Sequence, residues 1–402
     1  MSKYTVRAAR CDHRASDEEI FRTLERITAP LSRSWEKISA AGLVVIKANM
    51  VWPPEGIRRI AGRRQELVDD SVLRAVLRLL RDRTSARLVV ADTTYLPVPG
   101  GVGRDVNFMP LLQEFGADYV ECSDPPLAVY DVPGGGFMFS KYLLHTCIRE
   151  ADAVVSVAKL KSHAFMGVTL CLKNLFGLSP LPPRGKIRTY YHHIIRLSYV
   201  LPDLGMIVQP CLNIIDALTG QSRLEWDGDG RLCDALIAGD HVIATDACGA
   251  YLMGHDPASD WPAPPFRRDR NPLRVAAERG FGSVDLAEMD FELEVKPPLA
   301  EFDSQSLDSS ETVASWRRTM CEQALHYLDH RDEIVNRYGG EYIFLQDGEV
   351  VWNGPDPGNL GSRRDLSGDR KDSALWLKLV DPDEQEGEHF EVYSRNLTSL
   401  SA

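Results

Sequence analysis

The segment GLVVIK, Gly42–Lys47, is a continuous apolar run of the kind found in a strand that is covered on both faces. Two similar runs follow, RLVVAD at Arg87–Asp92 and AVVSVA at Ala153–Ala158. Between the first two, residues 69–81 carry apolar side chains at three- and four-residue spacing, which predicts a helix. Strands that alternate with helices predict an α/β fold with a mostly parallel, doubly wound sheet and helices on both faces.

Further units of this type extend the α/β region to about residue 300. They are CLNIIDAL at 211–218, ALIAGD at 235–240 and a helix at 242–254, and residues 142–150 are also predicted as a helix. Residues 1–300 could form one domain or two lobes that divide near residues 200–210. A helix at 312–338 and a hairpin turn at Asp347-Gly348 predict a small α+β appendage over residues 301–402.

The composition is that of an ordinary globular protein, with 44% hydrophobic and 26% charged residues among 402. The formal charge of −12 argues against a general affinity for nucleic acid or for an anionic membrane. No stretch reaches the roughly 18–20 apolar residues that span a bilayer, and the N-terminus lacks the apolar core of a secretory signal. We therefore expect a cytoplasmic protein. The eight cysteines form no C-x-x-C pair, so we expect reduced thiols and no iron–sulfur cluster.

The densest group of chemically active residues lies in KLKSHAFMGVTLCLKNLFG, residues 159–177, directly after a predicted strand. It contains Lys159, Lys161, His163, Lys173 and Asn174. Open α/β sheets bind their ligands at the carboxyl ends of strands, and lysines among apolar neighbours suit a carboxylate or a phosphate. The alternative is that the lysine and histidine side chains of this segment point into solvent from a loop.

Polar residues follow the other predicted strands too. Lys47, Asn49, Asp92 and Thr93 are candidates for substrate binding, and Asp216 is a candidate acid or base. Each alone would be an ordinary cap or turn residue, but their recurrence predicts one shared rim of one sheet. The glycine-rich pieces Pro99–Gly103 and Pro133–Gly136 could cradle an anion, although neither matches a nucleotide-binding fingerprint.

Two further interpretations concern histidines. His192, in the pair with His193, is a candidate general base, and the alternative is a histidine of the helix surface or of the core. A divalent metal could be held by His163 with Asp92, Asp216 or Asp246, but the sequence spacing fixes no geometry for such a site.

On these residues the chain resembles the family called domain of unknown function 362, uncharacterised α/β proteins of bacteria and archaea. The matching elements are IKANM at Ile46–Met50, DAVVSVAKLKSH at Asp152–His163, KNLFG at Lys173–Gly177 and DHVIATDACGAYLMG at Asp240–Gly254. Some members carry a ferredoxin-like cluster domain, for which this chain lacks the cysteine pattern. A more distant resemblance is to the nickel-pincer lactate racemase family. It implies that His163 and Lys173 serve a cofactor and the reaction.

Two functions follow as expectations. The first is an enzyme that isomerises, racemises or eliminates a small anionic metabolite, with Lys159, Lys161 and Lys173 on the anion and His163 or His192 moving a proton. The second is a redox, metal- or cofactor-binding accessory protein without its own iron–sulfur cluster. The cofactor is not specified by the sequence, and a homo-oligomer is compatible with it.

Overall fold

A computed structural model describes residues 3–49, 56–93, 108–181, 188–304, 308–357, 366–367, 369–370 and 373–401. Its strands are β1 (Tyr4–Arg10), β2 (Leu43–Ala48), β3 (Arg59–Ile60), β4 (Arg63–Arg64), β5 (Arg87–Asp92), β6 (Asp118–Glu121), β7 (Leu127–Asp131), β8 (Lys141–His145), β9 (Ala153–His163), β10 (Gly167–Thr169), β11 (Leu212–Ser222), β12 (Asp229–Gly239), β13 (Met289–Leu293), β14 (Tyr342–Gln346), β15 (Glu349–Gly354) and β16 (Trp376–Leu379). The predicted glycine-rich loop Pro99–Gly103 lies outside the described residues.

The helices of the described ranges are α1 (Asp17–Thr28), α2 (Ser32–Ser39), α3 (Asp70–Arg83), α4 (Met109–Glu114), α5 (Cys147–Glu150), α6 (Cys171–Asn174), α7 (Arg188–Tyr191), α8 (Leu197–Val208), α9 (Val242–Leu252), α10 (Pro272–Glu278), α11 (Ser310–Asp329), α12 (Arg331–Tyr338) and α13 (Glu391–Ser401). A short 3₁₀ turn, Leu175–Leu178, directly follows α6. Within these ranges, no helix is long and apolar enough to cross a membrane.

The central sheet has the strand order β13-β1-β12-β11-β9-β2-β5-β6, with β10 paired to the end of β9. The strands β11, β9, β2, β5 and β6 are parallel to one another, and β12 is antiparallel to both of its neighbours. The carboxyl ends of parallel neighbours meet at one edge of a sheet, where open α/β folds bind ligands. The predicted mostly parallel α/β fold is confirmed.

Apolar residues cover both faces of this sheet. On one face, Leu24 of α1 and Leu73 of α3 pack in a buried cluster with Ile46 of β2. On the other face, Leu201 of α8 belongs to a second buried cluster with Val45 of β2. Neighbouring residues of β2 thus point to opposite layers, which explains why the strand reads as a continuous apolar run.

One predicted helix is wrong. Residues 142–150 form mostly strand β8, which pairs antiparallel with β7, and only Cys147–Glu150 are helical. The segment KYLLH is short, and a short apolar run does not distinguish a strand from a helix until its pairing partner is known.

The C-terminal residues form the predicted small antiparallel sheet, in the order β15-β14-β16, packed with helices. The hairpin turn lies at Asp347-Gly348, where both residues have positive φ. The predicted helix at 312–338 is divided into α11 and α12 at His330. Trp376 and Tyr393 belong to the same buried cluster as Leu201 of the central layer. A domain boundary near residue 300 stays a prediction.

Candidate functional site

The predicted site residues lie along the carboxyl ends of β2, β5, β9 and β11, which we call the carboxyl edge. These strands hold or directly precede Lys47, Asn49, Asp92, Thr93, Lys159, Lys161, His163 and Asp216. The shared rim that the sequence predicts therefore exists for these residues. Asp240, which follows the predicted strand ALIAG, lies at the opposite edge instead, because β12 runs antiparallel to β11. The individual side chains nevertheless have different surroundings, and these surroundings separate structural pairs from groups that could meet a ligand.

Lys47, Asp92 and Asn174 form one buried network. Lys47 Nζ lies 3.1 Å from Asp92 Oδ1 and donates to Asn174 Oδ1 at 3.0 Å. Asn174 Nδ2 donates to the carbonyl of Lys47 at 2.9 Å. Gly177 packs closely against Lys47. A Cβ added at this glycine would lie 2.5 Å from Lys47 Cε. These contacts are those of a structural network, so the predicted role of the three side chains in substrate binding finds no support in the geometry.

Lys159 and Asp216 form a second buried pair. The Lys159 Nζ lies 3.1 Å from Asp216 Oδ2 and 2.9 Å from Thr219 Oγ1, and both charged side chains are 0% exposed. The backbone N–H of Asp69 also donates to Asp216 Oδ2 at 2.8 Å. Burial raises the pKa of Asp216. Asp216, the expected catalytic carboxylate, and Lys159, an expected anion-binding lysine, are therefore paired with each other.

Lys161 is different, since it is buried without a carboxylate oxygen within 4.0 Å in the part of the chain that the structure describes. Its Nζ donates to the backbone carbonyls of Glu66 at 3.0 Å and Glu225 at 3.2 Å, and lies 4.2 Å from the centre of the Trp226 ring. Burial lowers the pKa of Lys161 to about 8. This lysine can carry positive charge at neutral pH and has no anion in contact with it among the described residues.

His163 and His192 come together beyond the end of β9. Their ring centroids lie 6.0 Å apart. His163 Nδ1 accepts the backbone N–H groups of Phe165 at 3.0 Å and Met166 at 3.2 Å, so the proton of the neutral ring lies on Nε2. Burial and the positive charge of Lys173 hold the pKa of both imidazoles well below the ordinary range. Both rings are therefore neutral at pH 7.

Aromatic and cationic side chains surround this pair. The ring of His192 lies 5.0 Å from that of Phe165 and 5.7 Å from that of Phe176. Lys173 Nζ lies 4.7 Å from the centre of the Phe176 ring, and the Arg268 guanidinium lies 5.0 Å from that of Phe165. We call His163, His192, Phe165, Phe176, Lys173 and Arg268 the histidine cluster. It combines two proton carriers with two cations, which is suited to an anion that gains or loses a proton. Two carboxylates also reach the cluster, since Asp308 pairs with Arg268 at 2.9 Å and Glu225 Oε2 lies 3.6 Å from His163 Nδ1.

The predicted metal pair of His163 and Asp246 is not formed. Asp246 Oδ1 accepts the N–H of Cys171 at 2.9 Å, and Oδ2 accepts that of Leu172 at 2.7 Å. Asp246 thus caps the first turn of α6, and its two oxygens are engaged by the backbone. Burial raises the pKa of Asp246 to about 7.

A different set of donors meets the geometry of a metal site. In the described ranges, Asp12, His13 and Asp234 are the one group of three whose ligand atoms all lie within 4.8 Å of one another. His13 Nδ1 already lies 2.7 Å from Asp234 Oδ1, which is also the arrangement of an ordinary histidine–carboxylate hydrogen bond. Carboxylate and imidazole donors fit a divalent cation, provided that His13 gives up that bond.

The open grooves of the surface lie among other residues. A groove of about 920 Å³ is lined by Tyr251, His255, Asp256, Asp285 and Pro298 among others, and it shares no lining residue with the histidine cluster. We assign the site by chemistry rather than by groove size, because the 920 Å³ groove gathers few convergent polar groups. Sequence reasoning missed Arg268 and both phenylalanines. The arginine lies in a proline-rich loop that contacts Phe165, in the turn after β9, only in the folded chain.

Comparison with protein families matches residues 44–251, just over half of the chain, to the domain of unknown function DUF362. The chain belongs to this family. The predicted membership is thus confirmed, and the matched residues include the carboxyl edge, His163, Lys173 and His192. A thylakoid-associated protein of Synechocystis sp. is 25% identical over 243 residues, which are 59% of this chain and 71% of that protein.

Among solved structures, the lactate racemase apoprotein of Thermoanaerobacterium thermosaccharolyticum is similar, with a TM-score of 0.41 and 12% sequence identity. The similarity covers 63% of this DUF362 chain and 57% of the racemase chain.

Proposed function

We propose that this DUF362 protein binds a small anionic metabolite at the histidine cluster and moves a proton on it, in an isomerisation, racemisation or elimination. The observation that supports this most is the pair of imidazoles 6.0 Å apart, both kept neutral by burial and by neighbouring cations. Two neutral imidazoles offer one group to donate and one group to accept a proton at pH 7.

The cations of the cluster account for the anionic substrate. Lys173 and Arg268 flank the imidazoles and, with Lys161, lower the pKa of His163. A carboxylate or phosphate bound between these side chains would offset their positive charge. Away from the exposed surface, solvent would screen this attraction little. The same cations would stabilise negative charge that develops on the substrate during proton abstraction beside a carbonyl.

The hydrogen bonds of His163 support a separate role for each histidine in this proposal. Because its Nδ1 is held by two backbone N–H groups, Nε2 presents an N–H that can donate to a substrate oxygen. The ring of His192 contacts the rings of Phe165 and Phe176. In this proposal it takes the proton from a carbon of the substrate. Nickel-pincer chemistry, where the distant resemblance points, would also place His163 and Lys173 at the reacting group.

The test is exchange of carbon-bound hydrogen in D₂O, followed by mass spectrometry over a panel of small 2-oxo, 2-hydroxy and phosphorylated acids. We expect a substrate that gains deuterium, with exchange slowed at least about 100-fold in His163→Asn and in His192→Asn. His330→Asn, a change of an exposed histidine on the C-terminal helices, is the matched control and should keep the wild-type rate. Unchanged exchange in both cluster variants, or none across the panel, would rule the function out.

A second candidate is a metal-binding accessory protein, which the group of Asp12, His13 and Asp234 favours. Titration with Mn²⁺ and Zn²⁺ should then give stoichiometric binding that Asp234→Asn abolishes. Binding that is unchanged in this variant would remove the candidate.

A further inference from the structure

Arg64, at the end of β4, is a buried cation whose bonding is incomplete. The residue is 3% exposed, and its Nη2 lies 2.7 Å from Asp70 Oδ1. The guanidinium lies 4.1 Å from the centre of the Phe108 ring. Its Nε and Nη1 are buried and make no hydrogen bond in the part of the chain that the structure describes.

Two buried N–H donors without acceptors lower the stability of a folded protein. Buried donors are almost always hydrogen-bonded, and an unsatisfied donor on a charged group is among the most costly. Burial lowers the pKa of Arg64, and the charge of Asp70 opposes this shift. A ligand that supplies acceptor oxygens would satisfy both free N–H groups.

The backbone of Arg64 lies over the carboxyl edge. Its carbonyl accepts the hydroxyl of Thr219 of β11 at 2.8 Å, and the N–H of Val68, four residues on, donates to the carbonyl of Asn49 beyond β2 at 3.2 Å. The hairpin β3–β4 therefore covers the edge where the sheet presents its ligand-binding residues.

Two other polar atoms at this edge are also buried without a described partner, Asn49 Oδ1 and Thr93 Oγ1. Strands β2 and β5 pair with Ile46 opposite Val90, so Asn49 and Thr93 follow the two strands at equivalent positions and are neighbours. Sequence reasoning placed both among the substrate-binding residues. Thr93 Oγ1 can donate to a carboxylate oxygen, whereas Asn49 Oδ1 only accepts and would take a hydroxyl of the ligand.

Lys161 connects this region to the histidine cluster. Its Nζ donates to the carbonyl of Glu66, two residues after Arg64, and its charge acts on His163, two residues further along β9. The segment that follows Arg64 and the end of β9 that holds His163 thus meet at Lys161.

We propose that Arg64 binds a carboxylate of the substrate in a buried subsite at the carboxyl edge, and that the substrate is a small dicarboxylic acid. That the substrate has another carboxylate besides the one at Arg64 rests on the proposed function, in which the histidine cluster binds an anionic group. A carboxylate fits better than a phosphate, because one guanidinium that is shared with Asp70 and one threonine hydroxyl offer few donors for three phosphate oxygens.

The experiment compares the thermal stabilisation of the full chain by malonate, succinate and glutarate with that by acetate, propionate and butyrate at constant ionic strength. In the wild type, we expect at least one dicarboxylate to raise the Tm beyond its monocarboxylate counterpart. Arg64→Gln should bind that dicarboxylate at least about 30-fold more weakly, so that the excess disappears. Arg59→Gln removes an exposed cation from the same hairpin and should keep the excess.

The Tm without ligand separates binding from a structural role. Arg64→Gln should be as stable as the wild type or more so, because a buried, incompletely bonded charge is gone, whereas loss of a structural arginine would lower the Tm. Arg64→Lys keeps the charge and should retain part of the excess, which gives a readout if the glutamine variant does not fold. A full excess in Arg64→Gln, or no excess in the wild type, would overturn the proposal.

The two proposals fail in different ways. If dicarboxylates bind through Arg64 but deuterium exchange is absent, the subsite stands and the proton-transfer function falls. If exchange occurs and Arg64→Gln leaves it and the thermal excess unchanged, the function stands and the subsite falls.

Discussion

At the scale of single residues, the lysines of the carboxyl edge differ in what neutralises them. Lys47 and Lys159 each lie 3.1 Å from a buried aspartate oxygen, whereas Lys161 is held by two backbone carbonyls and an indole ring. The first two stabilise the junction of neighbouring strands. Lys161, Lys173 and Arg268 lie close enough to His163 to lower its pKa, and these cations are the basis of the proposed anion site. Arg268 also pairs with Asp308 at 2.9 Å.

The comparison of two lysine substitutions tests this division. Lys159→Met leaves the carboxylate of Asp216 buried and unpaired, which should cost about 3–5 kcal/mol of unfolding free energy. Lys161→Met loses hydrogen bonds to two carbonyls and no ion pair, so the cost should be about 1–2 kcal/mol. Urea unfolding of both variants measures the difference, and equal losses would contradict the division.

At the scale of elements, α6 and the 3₁₀ turn after it place the site. Asp246 of α9 caps the first turn of α6, Asn174 ties its end to β2, and Lys173 lies between them. Gly177 lets the turn approach the buried pair of Lys47 and Asp92. The K-N-x-x-G sequence thus positions Lys173 by packing against a buried ion pair.

Gly177→Ala should disturb this contact. Its Cβ would come within 2.5 Å of Lys47 Cε and 2.6 Å of Asp92 Oδ1, so the pair must shift, at a cost of about 1–3 kcal/mol. Gly42→Ala is a matched control, because its Cβ would meet Asp152 Oδ2 at an ordinary 3.5 Å. Chemical unfolding of the two variants gives the comparison; a Gly177→Ala protein as stable as the control would show that the turn is not tightly packed.

At the scale of the whole molecule, a buried group of charges joins the C-terminal sheet to the central layer. Arg196 Nη2 lies 2.8 Å from Glu388 Oε1, and Lys378 Nζ of β16 lies 2.8 Å from Glu388 Oε2, with all three side chains 0% exposed. Although burial opposes it, these two cations lower the pKa of Glu388 to about 2.

Glu388→Gln should therefore destabilise the protein by about 3–5 kcal/mol, since it leaves the buried Arg196 without its carboxylate partner. Lys378 would keep its contacts with Glu384 and Glu386. Glu349→Gln, at an exposed position of β15, should change stability by less than about 0.5 kcal/mol. Because the pKa of Glu388 is lower in the folded than in the unfolded chain, its contribution is complete above pH 4.5 and is lost as the pH falls towards 2. The excess cost of Glu388→Gln should shrink over that range, and a cost that is independent of pH would argue against the ion group.

The sequence predicted the parallel strands and the common rim because both follow from local pattern and strand polarity. It could not say which lysine meets which aspartate, since the pairs of Lys47 with Asp92 and Lys159 with Asp216 depend on the register of strands distant in sequence. His192 was found as one of two adjacent histidines, and only the fold brings it to His163. Arg64 lies in a hairpin without an apolar pattern, so no local signal revealed its burial.

The most direct test of the account is the pKa of His163 and His192, measured by NMR of isotope-labelled imidazoles over a pH titration. We predict that the pKa of both imidazoles lies well below the ordinary 6.5 in the wild type, because burial and the charge of Lys173 disfavour the charged form. Lys173→Met, and saturation of the wild type with the dicarboxylate that stabilises it most, should each raise both pKa values, since each reduces the net positive charge at the cluster. Histidines that titrate near 6.5 and respond to neither change would contradict the proposed anion site.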